Sequence, residues 1–210
     1  MPTDLVLVGR SSSHFTRTAR IFALELGVAH SFRPVYDINA LDPETYAGNP
    51  ALKVPILVDG QGALYGTENI CRELTRRSAE PHRVVLRGAL TERLVANAEE
   101  MLLHAMSTGV ILIMTSAAAD AGPAPPPKPR RSLENALAFL DANVERVRAA
   151  LPPARVLSFF ETGLFCAITH LPFRKLLDVS GYANLQRFAR EFGARPGARA
   201  TEYHFDTRPA

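Results

Sequence analysis

The chain has 210 residues, of which 47% are hydrophobic and 21% charged, a balance that predicts a folded protein and excludes a disordered one. With 24 Lys+Arg against 21 Asp+Glu the formal charge is +3. The arginines are scattered apart from Arg76-Arg77 and Arg130-Arg131, which reads as a solvated surface rather than a nucleic-acid stripe.

Residues 1 to about 78 alternate strand and helix signals. Leu5-Val6-Leu7-Val8, ended by Gly9, has the compact apolar run of a strand buried on both faces. From Ser13 a helical stripe follows through Phe15, Ala19, Phe22, Ala23 and Leu26, with Gly27 as its stop. Phe32 to Tyr36 reads as a second strand, and Pro34 within it predicts a sheet edge because proline has no ladder donor. Val54-Pro55-Ile56-Leu57-Val58, Asp59-Gly60 and Ala63-Leu64-Tyr65 predict a hairpin. Thr67 is expected to cap a helix carrying Ile70 and Leu74. The order βαβ, irregular connection, ββα builds a small mixed sheet with helices against it, the thioredoxin-like arrangement.

Beyond about residue 83 helical stripes take over. One runs from Val84 to about Ala119 through Leu86, Leu90, Leu94, Ala98, Met101 and Ala105, with Gly88 and Gly109 as points where it could break. The proline-rich stretch Ala121 to Pro129 is expected to be a stiff, non-helical connector. Ser132 is expected to cap the next helix, which Pro152-Pro153 ends, and further helices are expected at Phe159–His170, Phe173–Asp178 and Tyr182–Phe192. The expected organisation is a thioredoxin-like domain over 1–78, a linker over 79–85 and an all-helical domain over 86–210, an α/β plus all-α fold. Cys71 and Cys166 are too few for a disulfide framework or a zinc site, so no metal and a reduced, cytoplasmic setting are expected. Met1 to Leu5 lacks the pattern of a secretory leader, and the longest apolar run, Gly109 to Met114, is far short of the ~20 residues of a membrane span.

Four motifs, in order and at matching spacing, resemble the glutathione transferase family. Ser13-His14-Phe15-Thr16-Arg17-Thr18-Ala19-Arg20 is similar to the family's Ser/Cys-Pro-Phe-x-Arg start of helix 1, and Asn49-Pro50 through Val54-Pro55-Ile56-Leu57 to its Asn-Pro-x-x-x-Val-Pro-x-Leu strand. Gly66-Thr67-Glu68-Asn69-Ile70 occupies the place of its Glu-Ser-x-Ala-Ile. Ser158-Phe159-Phe160-Glu161, with Arg195-Pro196 further on, is similar to the box that opens a core helix in its second domain.

The resemblance implies an enzyme of the Ser type that binds glutathione as co-substrate and activates its thiol for attack on a small apolar electrophile, working in detoxification as a homodimer. A thiol attacks as thiolate, and a hydroxyl at a helix N-terminus favours the anion. Ser13 stands in that place; Ser13 capping the helix is the other reading, and Ser11 or Ser12 could take the role because the register among three serines is open. His14, replacing the family's proline, is expected at a pocket edge or the surface. The family's cis-proline maps to Pro55, which would expose the Val54 backbone to the glutathione peptide, with Lys53 available to a carboxylate. Thr67 would hold the γ-glutamyl carboxylate at a helix N-terminus. Gly66 departs from the family's acidic residue and removes a contact to the ligand's ammonium, which leaves a non-catalytic dimerisation or scaffolding module as the alternative. Ser158 and Glu161 read as a capping box. Met101, His104, Ala105 and Thr108 mark a helix face where the electrophile could lie.

Overall fold

The computed structural model describes residues 5–119 and 127–208. Four strands form one mixed sheet: β1 (Val6–Gly9), β2 (Ser31–Pro34), β3 (Ile56–Asp59) and β4 (Gly62–Tyr65), in the order β2-β1-β3-β4. β1 runs parallel to β2 and antiparallel to β3, and β3 is antiparallel to β4. Pro34 therefore lies on an edge strand, where its missing N–H costs no ladder bond. Because successive side chains leave a strand on opposite faces, β1 serves two cores: Leu7 packs into the large one and Val8 into a smaller one with Val35, Tyr46 and Ile56.

In the hairpin Asp59 pairs with Gly62, leaving Gly60-Gln61 as the loop. Positive φ falls on Gly62 (113°) and not on Gly60. The Asp59 carboxylate instead accepts from the Gln61 N–H at 2.8 Å, which braces the turn.

Helix α1 (His14–Glu25) is buried on almost every side, including Thr16, Arg17 and Thr18 as well as Ala19, Ile21, Phe22 and Ala23. It lies between the sheet and two helices of the second unit, so a single apolar stripe understates what it must satisfy. Gly27, at φ 64°, follows its end. Helix α2 (Thr67–Arg77) differs from expectation at its start: the cap is Gly66, at φ 88° and ψ 136°, and Thr67 is the first helical residue. Only glycine takes that backbone without steric cost.

The second unit is helical, as expected, with one short strand pairing at its edge. Val84–Val85 (β5) and Leu157–Ser158 (β6) form a two-residue parallel ladder, too short to leave a period in the sequence. Helix α3 (Arg93–Ala119) starts well after Gly88, whose φ of 76° turns the chain, and runs through Gly109 unbroken. Helix α4 (Pro127–Ala150) overturns the expectation that the proline-rich stretch stays non-helical to Pro129, and Ser132 is inside the helix rather than its cap. The first-turn N–H groups of a helix have no intrahelical partner, so Pro127 and Pro129 forfeit nothing there; residues 120–126 of that stretch lie outside the described residues.

Helix α5 (Phe159–Phe173) opens on Ser158, whose Oγ accepts from the Glu161 N–H at 3.1 Å. The Glu161 carboxylate takes the Ser158 hydroxyl at 2.8 Å and the Arg155 guanidinium at 2.8 Å, in place of the Ser158 backbone N–H of a reciprocal box. No helix forms over Phe173–Asp178: Lys175 turns left-handed at φ 54°, and bonds from Leu176 N to Leu171 O and from Lys175 N to Pro172 O close a Schellman terminator. Helix α6 (Ala183–Gly193) and the short α7 (Pro196–Arg199) complete the chain.

One continuous core joins the two units, with Phe22 and Ile70 from the first and Leu102, Phe160, Leu164 and Phe188 from the second. Polar links cross the same junction. The buried Arg17 donates to Thr169 Oγ1 and Ala198 O, each at 3.1 Å, and lies over the Phe165 and Tyr203 rings. Glu25 pairs with Arg195 at 2.7 Å and accepts from the Gly197 N–H at 2.6 Å. Cys71 and Cys166 are free and buried. No helix among the described residues is long and apolar enough to cross a membrane.

Candidate functional site

Sheet register brings the sequence motifs to one place. Val8 pairs with Ile56 and Ile56 with Tyr65, so the end of β1, the start of β3 and the end of β4 share one end of the sheet. The segments leaving there are Arg10–Ser13, Lys53–Pro55 and Gly66–Thr67, and the helices α1 and α2 both present their N-termini at that end. Gly9 permits the first turn: a Cβ there would meet the Thr16 side chain at 2.4 Å.

The three serines differ in environment. Ser11 is spent on Asp206, which accepts from its N–H at 2.8 Å and from its hydroxyl at 2.7 Å. Ser12 is 5% exposed, and its carbonyl accepts from His170 Nε2 at 3.0 Å. Ser13 is half-buried at the cap of α1, and its Oγ accepts from the Thr16 N–H at 3.3 Å. That bond uses a lone pair and leaves the Ser13 O–H proton free to donate.

His14 corrects the expectation of a surface or pocket-edge residue, for it is 2% exposed. Its Nε2–H donates to Met106 O at 3.1 Å, its Nδ1 has no partner among the described residues, and its ring lies 4.3 Å from that of His170. Burial pushes His14 well below the usual histidine range, with His170 and Arg174 adding to the shift, and burial likewise takes His170 to about 4. Both imidazoles are neutral packing groups at neutral pH. The first-turn position that most resembles a polar surface site is covered by α3 and α5, which no local pattern announces.

The Val54–Pro55 bond is cis. Val54 precedes β3, and among the described residues neither its N–H nor its C=O is hydrogen-bonded within the protein. Lys53 is exposed, and its carbonyl accepts from Asn49 Nδ2 at 2.8 Å. Asn49 also accepts from the Ala51 N–H at 3.0 Å, so this buried amide shapes the approach to Val54. Its role was not read from the sequence, although Asn-Pro is a common turn signal.

At α2 the first intrahelical bond runs from Ile70 N to Gly66 O, leaving the Thr67 and Glu68 N–H groups as anion donors. Thr67 is 8% exposed, and its hydroxyl reaches Phe15 O at 3.5 Å, tying the two helix starts together. Glu68 is paired with Arg72 at 3.0 Å and Arg87 at 3.6 Å, so its carboxylate is directed away from the place the missing acidic residue would fill. On α3, His104 is exposed and paired with Glu100, whereas Ala105 is buried. The carboxylate of Asp206, from the far end of the chain, also borders the serine loop.

The family profile described as glutathione S-transferase, N-terminal domain, matches residues 7–82. Over those residues the chain is similar to the N-terminal domain of that family. The whole chain also has the glutathione S-transferase fold. A glutathione S-transferase from Methylobacillus flagellatus, solved with glutathione bound, superposes with a TM-score of 0.76 at 21% identity, covering 96% of this chain and 100% of that one. A glutathione transferase family member from Pseudomonas fluorescens, with bound glutathione, superposes at 0.78 with 19% identity and coverage of 96% and 100%. A glutathione S-transferase from Methylobacterium radiotolerans, in complex with glutathione sulfonate, gives 0.74 at 20% identity, covering 99% of both chains. Among curated proteins, no sequence matches.

Proposed function

We propose that the protein binds glutathione at this end of the sheet and promotes attack of its thiolate on a small electrophile. The observation that carries the reading is the convergence of three unspent hydrogen-bonding groups: the Ser13 hydroxyl, the Val54 main chain and the N-terminus of α2 at Thr67. The Val54 backbone would pair with the glutathione peptide as an added strand does. The Thr67 and Glu68 N–H groups would take the γ-glutamyl carboxylate, and Lys53 is exposed for the second carboxylate. Ser13 would donate to the sulfur, and with the α1 dipole would lower the thiol pKa by ~1–2 units. Catalysis then rests on thiolate stabilisation and proximity, without a covalent enzyme intermediate. The domain division at 78 and 86, a cytoplasmic homodimer and a role in detoxification go with this reading.

Retention on immobilised glutathione tests it directly. Wild type is expected to bind, and Thr67→Ala to bind at least several-fold more weakly. Failure of the wild type to be retained would remove the enzyme reading. Gly66 favours the second reading, a glutathione transferase-like scaffold, because a carboxylate side chain is missing where the ligand's ammonium would be met. The two readings part on turnover with a test electrophile, which a scaffold lacks.

A further inference from the structure

The loop from Arg10 to Ser13 has few bonds of its own. The Ser13 N–H donates to Arg10 O at 3.1 Å, and the Arg10 N–H reaches Thr16 Oγ1 at 3.3 Å. Its other fixed points come from the second unit. The Asp206 carboxylate takes the Ser11 N–H at 2.8 Å with one oxygen and the Ser11 hydroxyl at 2.7 Å with the other, which fixes backbone and side chain together at that residue. His170, on α5, donates from Nε2 to Ser12 O at 3.0 Å inside the junction. A carbonyl only accepts, so this bond places the proton of the neutral ring on Nε2. Both anchors are braced in turn. Arg20 reaches Ser11 Oγ at 3.4 Å, the His170 ring lies 4.3 Å from that of His14 and 5.3 Å from that of Tyr203, and the Tyr203 hydroxyl donates to Cys166 O at 2.7 Å. That last bond ties the tail bearing Asp206 to the helix bearing His170. The three serines are left unequal: Ser11 has its hydroxyl proton engaged, Ser12 is buried, and Ser13 is half-buried with its proton uncommitted among the described residues.

We propose that Asp206 and His170 are positioning residues of the candidate thiol site: by holding Ser11 and the Ser12 carbonyl they aim the Ser13 hydroxyl at the glutathione sulfur. The inference rests on the transferase reading and adds to it the means by which one serine of three is selected. Each residue acts through the backbone and not on the substrate. The Ser12 carbonyl and the Ser13 N–H share one peptide plane, so a swing of that plane carries Ser13 Cβ and Oγ with it, and a displacement of about 1 Å at a reacting group costs up to ~100-fold in rate. The sign of the effect separates aim from charge. Loss of the Asp206 carboxylate by itself favours a nearby thiolate and lowers the bound thiol pKa, whereas loss of the Ser13 bond raises it.

The test follows the ultraviolet absorbance of the glutathione thiolate bound to the full-length protein across pH, with turnover of chlorodinitrobenzene and thermal unfolding measured on the same samples. Asp206→Ala and His170→Leu are each expected to raise the bound thiol pKa by ~0.5–1 unit and to lower kcat about ten-fold, with a smaller change in glutathione affinity. His170→Gln, whose amide still donates to Ser12 O, is expected to keep most of the rate. Asp206 lies in the tail beyond α7, outside every helix, so its variant is read even if His170→Leu does not fold. A double-mutant cycle completes the test: Ser13→Ala is expected to cost about three-fold less, or better, in the Asp206→Ala background than in the wild type, because the hydroxyl it removes is no longer aimed. A bound thiol pKa that falls or stays unchanged in Asp206→Ala, whatever the melting temperature does, would overturn the proposal. So would an equal cost of Ser13→Ala in both backgrounds, or a ten-fold loss of rate in His170→Gln. A wild type that binds no glutathione would remove the transferase reading itself, and this proposal with it; normal thiolate formation in wild type and variants alike would remove this proposal alone.

Discussion

At the scale of single residues the site depends on groups with spare hydrogen-bonding capacity. Ser13 caps α1 with a lone pair, and the same hydroxyl keeps its proton for a thiolate, so the structural and catalytic readings of this serine are compatible. Ser13→Ala is expected to lower kcat/KM with a test electrophile by roughly ten- to a hundred-fold while changing glutathione retention little; an unchanged rate would move the role away from Ser13. The same substitution costs ~1 kcal/mol through the lost cap. Gly66 has a different constraint, since φ of 88° is reached without strain only by glycine, and space beside it is open. Gly66→Ala should therefore destabilise by ~1–2 kcal/mol in urea titrations, through backbone strain and not through a clash. The motif itself shows that the acidic side chain is missing. What it could not supply is the backbone angle that makes glycine the unstrained choice.

At the scale of elements, termini proved less legible than existence. The strands, α1 and α2 follow from periodicity because burial on a sheet leaves a strong pattern. The proline-rich start of α4, the terminator after α5 and the β5–β6 ladder do not, for each depends on a few backbone groups and not on a stripe. Lys175 shows the consequence. A lysine at φ 54° terminates α5 where glycine would do so without Cβ strain, so Lys175→Gly should raise the unfolding free energy by ~0.5–1 kcal/mol; destabilisation would mean that the lysine side chain supplies more than the turn costs. Gly9→Ala should act in the opposite direction, by ~1–3 kcal/mol, because its Cβ would lie 2.4 Å from Thr16 Cγ2 and 2.6 Å from Oγ1.

At the scale of the whole molecule, the junction between the two units holds polar groups that the sequence scatters. His14 and His170 meet there as neutral rings, and the sign of their effect on stability follows from linkage. Their folded pKa values lie below the unfolded value near 6.5, so the unfolded chain binds more protons once pH falls through 6.5. Stability is full above that pH and declines on acidification, for His170 until about 4. Denaturation at pH 7.5 and 5.5 should differ by roughly 1–3 kcal/mol for the pair, and His170→Gln, which keeps a donor for Ser12 O, should reduce the difference. A pH-independent midpoint over that interval would rule the neutral pair out. Glu25, 8% exposed and bonded to Arg195 and the start of α7, spans the same junction. Glu25→Gln should cost ~2–4 kcal/mol by leaving Arg195 without its counter-charge, measured by chemical denaturation.

The local sequence alone determined which segments become the sheet and its two flanking helices, and which motif residues border the candidate site. Periodicity, turn chemistry and short motifs act within a few residues, so they are written in the chain directly. Only the tertiary structure decided that the Ser11 hydroxyl is taken by Asp206 and that His14 is buried. Those outcomes depend on Asp206, Met106 and His170, which lie far along the chain. Burial and charge pairing are properties of space, and the packing of α3, α5 and the C-terminal tail around the serine loop sets them.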